Sequence, residues 1–139
     1  MKIELKRIND ACHMVATNEE GNEIHIDGAP VVGGERKGFR PMQLLAAGAG
    51  SCSSIDIISI LKKQRQALTD LQVLVTAERE NGKVPSLFQS IHLHYVLTGN
   101  LDKNKVEKAL KLSLQKYCSV IKIIEKTTKI NYSYEIKSN

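Results

Sequence analysis

Between Pro41 and Leu61 the chain runs through Pro41-Met42-Gln43-Leu44-Leu45-Ala46-Ala47-Gly48-Ala49-Gly50-Ser51-Cys52-Ser53-Ser54-Ile55-Asp56, and on to Ile60-Leu61, with one ionisable acid in the whole stretch. Pro41 suits the first turn of a helix, where its missing N–H costs nothing. Lys62, Lys63 and Arg65 put cations in the final turns, as the helix dipole favours. A helix is therefore expected from Pro41 to about Leu68. It is apolar nearly all round, so it calls for burial on several sides. Its tiny residues let another backbone or a ligand approach closely, which presents the Cys52 thiol rather than merely packing it. A second thiol follows far downstream, in Lys116-Tyr117-Cys118-Ser119-Val120. Two such thiols suggest dithiol redox chemistry.

The rest of the chain supplies short strands and two further helices. Met1 to Ile8, Ala11 to Thr17 and Glu23 to Ile26 read as three strands separated by Asn9-Asp10 and Glu19-Glu20-Gly21-Asn22 turns. Gly33 to Gly38 is a polar, glycine-containing loop, read as mobile. Leu71, Val73, Val75 and Ala77 alternate in one strand. Ile91, Leu93, Tyr95 and Leu97 form one face of the next, with His92 and His94 on the other. Asp102 is placed to cap a helix from Lys103 to Lys116, Cys118 to Lys126 makes a shorter helix, and Lys129 to Ile136 closes as a strand. Runs of strands with segregated helices predict an α+β domain. We read residues 1–139 as one domain: an N-terminal meander and loop over 1–40, then helix-strand-strand-helix-helix-strand over 41–139.

Bulk properties narrow the function classes. A chain of 139 residues suffices for one core. The net charge is +5, but the lysines are scattered and there is no Trp, so nothing supports a nucleic-acid partner. Lys2, Lys6 and Arg7, with Glu4 and Asp10, make the N-terminus neither a signal peptide nor an anchor. Gln43, four serines, two glycines and Asp56 read as too polar for a membrane span between Met42 and Leu61. The expected location is cytoplasmic. There, three cysteines stay mostly reduced, and a disulfide would be transient and catalytic.

The layout and motifs resemble the OsmC/Ohr family of stress-linked thiol peroxidases, and within it the YhfA-like branch. The residues that carry the likeness are Pro41, Leu44-Leu45-Ala46-Ala47, Gly50-Ser51-Cys52-Ser53, Asp56, Ile60-Leu61, Glu78-Arg79, Pro85, Phe88, Ile91 to Val96, Gly99, Ala109, Leu112-Ser113 and Lys116 to Val120. The resemblance runs from about residue 39 to the C-terminus. It implies an OsmC-like fold in which antiparallel sheets wrap central helices in an intertwined homodimer, with the active site at the interface. It also implies roles: the Cys52 position attacks a hydroperoxide, and the Cys118 position resolves the sulfenic acid as a disulfide. An external dithiol then restores the pair, with no metal, haem or flavin. Such an enzyme would serve in oxidative or osmotic stress.

One position departs from the family. Its hydroperoxide reductases carry a glutamate right after the proline, paired with an arginine from the N-terminal strands; here Met42 stands there. Cys52 lies well beyond the first turn, where the helix dipole fades, so its thiolate needs a cation. Arg79 and Arg40 are the candidates. Asp56, one turn past Cys52, would raise a nearby thiol's pKa if ionised; a hydrogen bond to a serine or backbone group is its plainer role. Cys118, near a helix start, would be the better nucleophile on dipole grounds; the resemblance reverses that order. Cys12 reads as incidental, and His92 with His94 as a strand face without a metal. The alternative function is a non-catalytic binding protein of the same fold, with an apolar pocket at the dimer interface, and Met42 favours it.

Overall fold

The computed structural model describes residues 1–139 and is α+β: two three-stranded sheets and three helices, in two compact units, Met1–Leu45 and Ala46–Asn139.

The first unit is a meander. β1 (Ile3–Arg7), β2 (Met14–Asn18) and β3 (Glu23–Ile26) pair antiparallel in that order. The glycine loop that follows is anchored at Asp27. Its buried carboxylate accepts N–H bonds from Gly28 (2.7 Å), Glu35 (2.9 Å) and Lys37 (3.0 Å). The chain also folds back so closely that a Cβ on Gly34 would overlap the carbonyl of Gly28. The loop expected to be mobile thus has a fixed closure.

α1 (Pro41–Lys63) starts at the end of this unit and runs through the second. Gln43 reaches back to accept the Arg40 N–H at 2.9 Å, satisfying one donor of the helix start. The helix ends earlier than Leu68. Arg65 takes a left-handed φ of 55°, its N–H bonds to Lys62 O, and Gln66 N–H bonds to Leu61 O, both at 3.0 Å. This is the left-handed helix stop that glycine usually makes, here with arginine.

In the second unit β4 (Ala67–Arg79) and β5 (Phe88–Asn100) form a long antiparallel hairpin. β6 (Lys129–Lys137) pairs parallel to β5, from Ser90↔Lys129 to Thr98↔Lys137. This sheet is therefore mixed rather than wholly antiparallel, because α2 (Lys103–Leu112) and α3 (Ser119–Ile124) return the chain to the start of β5. Asp102 caps α2, accepting Lys105 N–H at 3.0 Å. The core is Ile57 and Leu61 of α1, Ile91, Leu93, Tyr95 and Leu97 of β5, Val106, Ala109 and Leu110 of α2, and Ile121 of α3. Each buried aliphatic contributes about 1.5–3 kcal/mol.

By length and composition α1 qualifies as a membrane span, so the expectation that it is too polar does not hold on those grounds. One face is pressed onto the sheet all the same: Gly50 lies so close to β4 that an added Cβ would come within 2.8 Å of Val75 Cγ2. Only 28% of its most apolar stretch is buried in the single chain. Burial on several sides is thus not achieved within one chain, and Ile55 and Ile58 lie open.

The three N–H bonds, led by that from Lys37, hold the Asp27 carboxyl below its usual 3.8. A depressed pKa contributes stability that is present above 3.8 and lost as pH falls through the folded value. Amide exchange at Glu35 and Lys37 should accelerate on acidification through that window. In Asp27→Asn it should already be fast at neutral pH.

Candidate active site

Three acidic groups converge in the second unit. The sulfurs of Cys52 and Cys118 and a carboxylate oxygen of Asp56 all lie within 4.8 Å of one another. Cys52 and Asp56 share one face of α1, a turn apart. Both are half-buried, whereas Cys118 is fully buried.

Cys118 is delivered by an irregular turn. After α2 the chain makes a π-helical turn, Ser113–Tyr117, closed by the Cys118 N–H to Ser113 O bond of 2.9 Å. The helix expected to run to Lys116 is therefore regular only to Leu112. Such turns are frequent at functional sites. Cys118 then caps α3, its sulfur accepting the Ile121 N–H at 3.5 Å.

Three polar residues that the sequence reading passed over hold this arrangement. Ser53 is fully buried beside Cys52. Its Oγ lies 2.7 Å from Ala49 O, 3.1 Å from Gly50 O and 2.7 Å from the Tyr95 hydroxyl. A serine has one proton, so when Ser53 donates to a helix carbonyl, Tyr95 donates to Ser53. Ser113 Oγ contacts Ser53 O at 3.1 Å and Asp56 Oδ2 at 3.3 Å. Ser113 lies within a quoted motif, but only the packed structure shows what it bonds. Tyr95 read as one more apolar position of β5.

The electrostatics oppose ionisation of Cys118. Burial pushes its thiol up to about 11; the Ile121 N–H works the other way, and Cys52 and Asp56 add to the rise. The helix-start argument for an activated Cys118 therefore loses to desolvation. Burial likewise pushes Tyr95 to about 12.

The arginine candidates have these surroundings. Arg79 gives its Nε and Nη2 to Ser86 O, at 3.2 and 2.7 Å, bracing the β4–β5 connection. Arg40 is exposed at the start of α1, within the first unit. Cys12 donates to Val32 O at 3.3 Å. His92 Nε2 and His94 Nδ1 each meet Ser133 Oγ at 2.8 Å on the outer face of the second sheet. His13 Nε2 meets His25 Nδ1, also at 2.8 Å.

Comparison with known proteins points to a family. Residues 33–133 match the family model described as OsmC, OsmC-like protein. The chain is 41% identical to Protein YhfA of Escherichia coli K12 over 117 residues, 84% of each chain. A hypothetical protein from Aquifex aeolicus VF5 superposes with a TM-score of 0.86 at 34% identity, over 99% of this chain and 96% of that one. A Legionella pneumophila protein described as an organic hydroperoxide resistance protein shares the fold, with a TM-score of 0.73 at 19% identity over 97% of both chains.

The raised Cys118 pKa has a testable sign. The native thiol keeps its proton where the unfolded one, at 9.0, loses it. Its contribution to stability is complete below 9.0 and declines as pH rises towards about 11. Denaturant titrations across that window should show the wild-type losing stability relative to Cys118→Ser. Parallel curves for the two proteins would contradict the assignment.

Proposed function

The chain belongs to the OsmC family, and on that premise we propose that it is a thiol-dependent peroxidase reducing organic hydroperoxides. The observation that carries the reading is the approach of the Cys52 and Cys118 sulfurs to within 4.8 Å. The half-exposed Cys52 is the attacking group, and the buried Cys118 the resolving one. The Cys52 thiolate attacks the distal peroxide oxygen; the O–O bond breaks, the alkoxide takes a proton and leaves as alcohol, and Cys52 becomes a sulfenic acid. The Cys118 sulfur then displaces the hydroxyl, which leaves as water, and a disulfide forms. An external dithiol reduces it by exchange. No step calls for a metal or an organic cofactor. The apolar wall of α1 favours organic hydroperoxides over hydrogen peroxide. We place this chemistry in the cytoplasm, under oxidative or osmotic stress.

Thiolate formation at Cys52 calls for a cation, and with Met42 in the family's glutamate position the usual acid–arginine pair is broken. Arg40 and Arg79 remain the candidates. These same features favour a second reading, a binding protein of this fold with inert thiols. A thiol count before and after one equivalent of cumene hydroperoxide separates the two. Loss of both site thiols supports the enzyme; unchanged thiols support the binder.

The roles of the cysteines make a sharper test. Cys52→Ser should abolish peroxide consumption, because a hydroxyl cannot replace a thiolate at neutral pH. Cys118→Ser should complete the first oxidation and then over-oxidise under excess peroxide. Mass spectra after one equivalent decide it, and oxidation of Cys52→Ser but not of Cys118→Ser would reverse the assignment.

We also propose that the chain works as a homodimer. Ile3, Leu5 and Ile24 of the first sheet, and Ile55 and Ile58 of α1, are open in the single chain. A second copy covering them would bury more than about 2,000 Å². Sedimentation at micromolar concentration should give a dimer; a monomer there would contradict it.

A further inference from the structure

The trio of Cys52, Asp56 and Cys118 has a property that peroxide chemistry does not use. Two thiols and a carboxylate, each a metal-ligand type, point at one small volume with all ligand atoms within 4.8 Å. Asp56 has no cationic partner: the chain's ion pairs are Lys37–Glu35, Lys83–Glu80, Lys122–Glu125 and Lys137–Glu135. We propose that these three residues form a site for a borderline-soft divalent cation of the Zn²⁺ class, and that this ion blocks the thiol chemistry when bound.

The ligand set and its supports fit that ion. Zn²⁺ takes thiolate at about 2.3 Å and carboxylate at about 2.0–2.2 Å, so ligand atoms around a tetrahedral ion sit roughly 3.3–3.8 Å apart. Side-chain rotations that draw the trio in by about an ångström supply that spacing. Cys52 and Asp56, at i and i+4 on α1, offer two ligands from one rigid face. Cys118 brings the third from the α3 cap. The outer contacts are those a metal site needs. The Ile121 N–H meets the Cys118 sulfur, and the Ser113 hydroxyl lies 3.3 Å from Asp56 Oδ2, so the carboxylate keeps an oxygen for the ion. Half-burial of Cys52 and Asp56 leaves a way in and a fourth position for water. Binding sends the two thiol protons to solvent, and the two thiolates and the carboxylate together outweigh the ion's two positive charges by one. With both sulfurs held by metal, neither attack on a peroxide nor disulfide closure can proceed.

The site shares residues with the proposed peroxidase, but its test needs no peroxide. The reduced, full-length protein would be titrated with Cd²⁺ alone, without oxygen, following the thiolate-to-cadmium charge-transfer band. The band should saturate at one equivalent per chain, disappear in Cys52→Ser, and remain in Cys12→Ser. Zn²⁺ in large excess should compete and diminish it. Asp56→Asn should keep the band with affinity reduced roughly tenfold or more. Because Cys118 lies in the core, the half-exposed Cys52 carries the decisive variant. No saturable band, a band surviving in Cys52→Ser, or unchanged affinity in Asp56→Asn would overturn the assignment. Peroxide consumption by metal-free protein is measured separately, so an intact band with no consumption removes the peroxidase reading and leaves the metal site standing.

Discussion

The site depends on one buried hydroxyl. Ser53 is fully buried, and leaving its Oγ unpaired would cost about 1–3 kcal/mol. It is satisfied by its own helix and by Tyr95 of β5, while its carbonyl receives Ser113 from the turn after α2. Three elements are therefore tied at one residue. This fixes the rotation of α1 about its axis, and the rotation decides where the next-door Cys52 points. Gly50, three positions earlier, removes the side chain that would otherwise hold the helix off Val75. The tiny residues of α1 thus serve the close approach, and the polar knot serves the register.

The electrostatics of that arrangement are costly for redox chemistry and suited to holding a proton or a cation. Asp56 is oriented by Ser113 and lies against both sulfurs. It adds to the rise that burial imposes on Cys118. A resolving thiol tolerates this, because it need only react after the sulfenic acid has formed beside it. An attacking thiol, in the proposed mechanism, gains from a cation beside it. Gln43 is spent on the Arg40 N–H, so it does not replace the missing acid after Pro41.

Much of this was legible in the sequence, and the exceptions have physical causes. Period-two alternation located β4 and β5, with Ile91, Leu93, Tyr95 and Leu97 inward. Asp102 marked the start of α2 by its capping chemistry. The end of α1 was misplaced because Arg65, not glycine, adopts the left-handed stop. The parallel pairing of β6 follows from the helical return of the chain, which strand patterning does not encode. The π-turn at Ser113–Tyr117 has no side-chain signature, and it moved the end of α2. The two thiols and Asp56, singled out as residues, are brought together by the structure, whereas the serines and tyrosine packed around them were not singled out. Their role exists only once helix, strand and turn are packed.

The same knot also determines which side of the thiol pair can move. A disulfide needs its sulfurs about 2.05 Å apart, so sulfurs within 4.8 Å must still close on each other. α1 is held through Ser53 and pressed onto Val75 at Gly50, which leaves it little freedom to shift. Cys118 sits instead between a single π-turn and a six-residue helix whose first turn its own sulfur caps. Drawing that sulfur towards Cys52 gives up one weak N–H···S contact, whereas shifting the α1 backbone towards Cys118 would disturb the Ser53, Tyr95 and Ser113 bonds together. The lower cost lies on the Cys118 side. In the proposed mechanism the helix would present one thiol, and the turn before Cys118 would give way to let the other reach it.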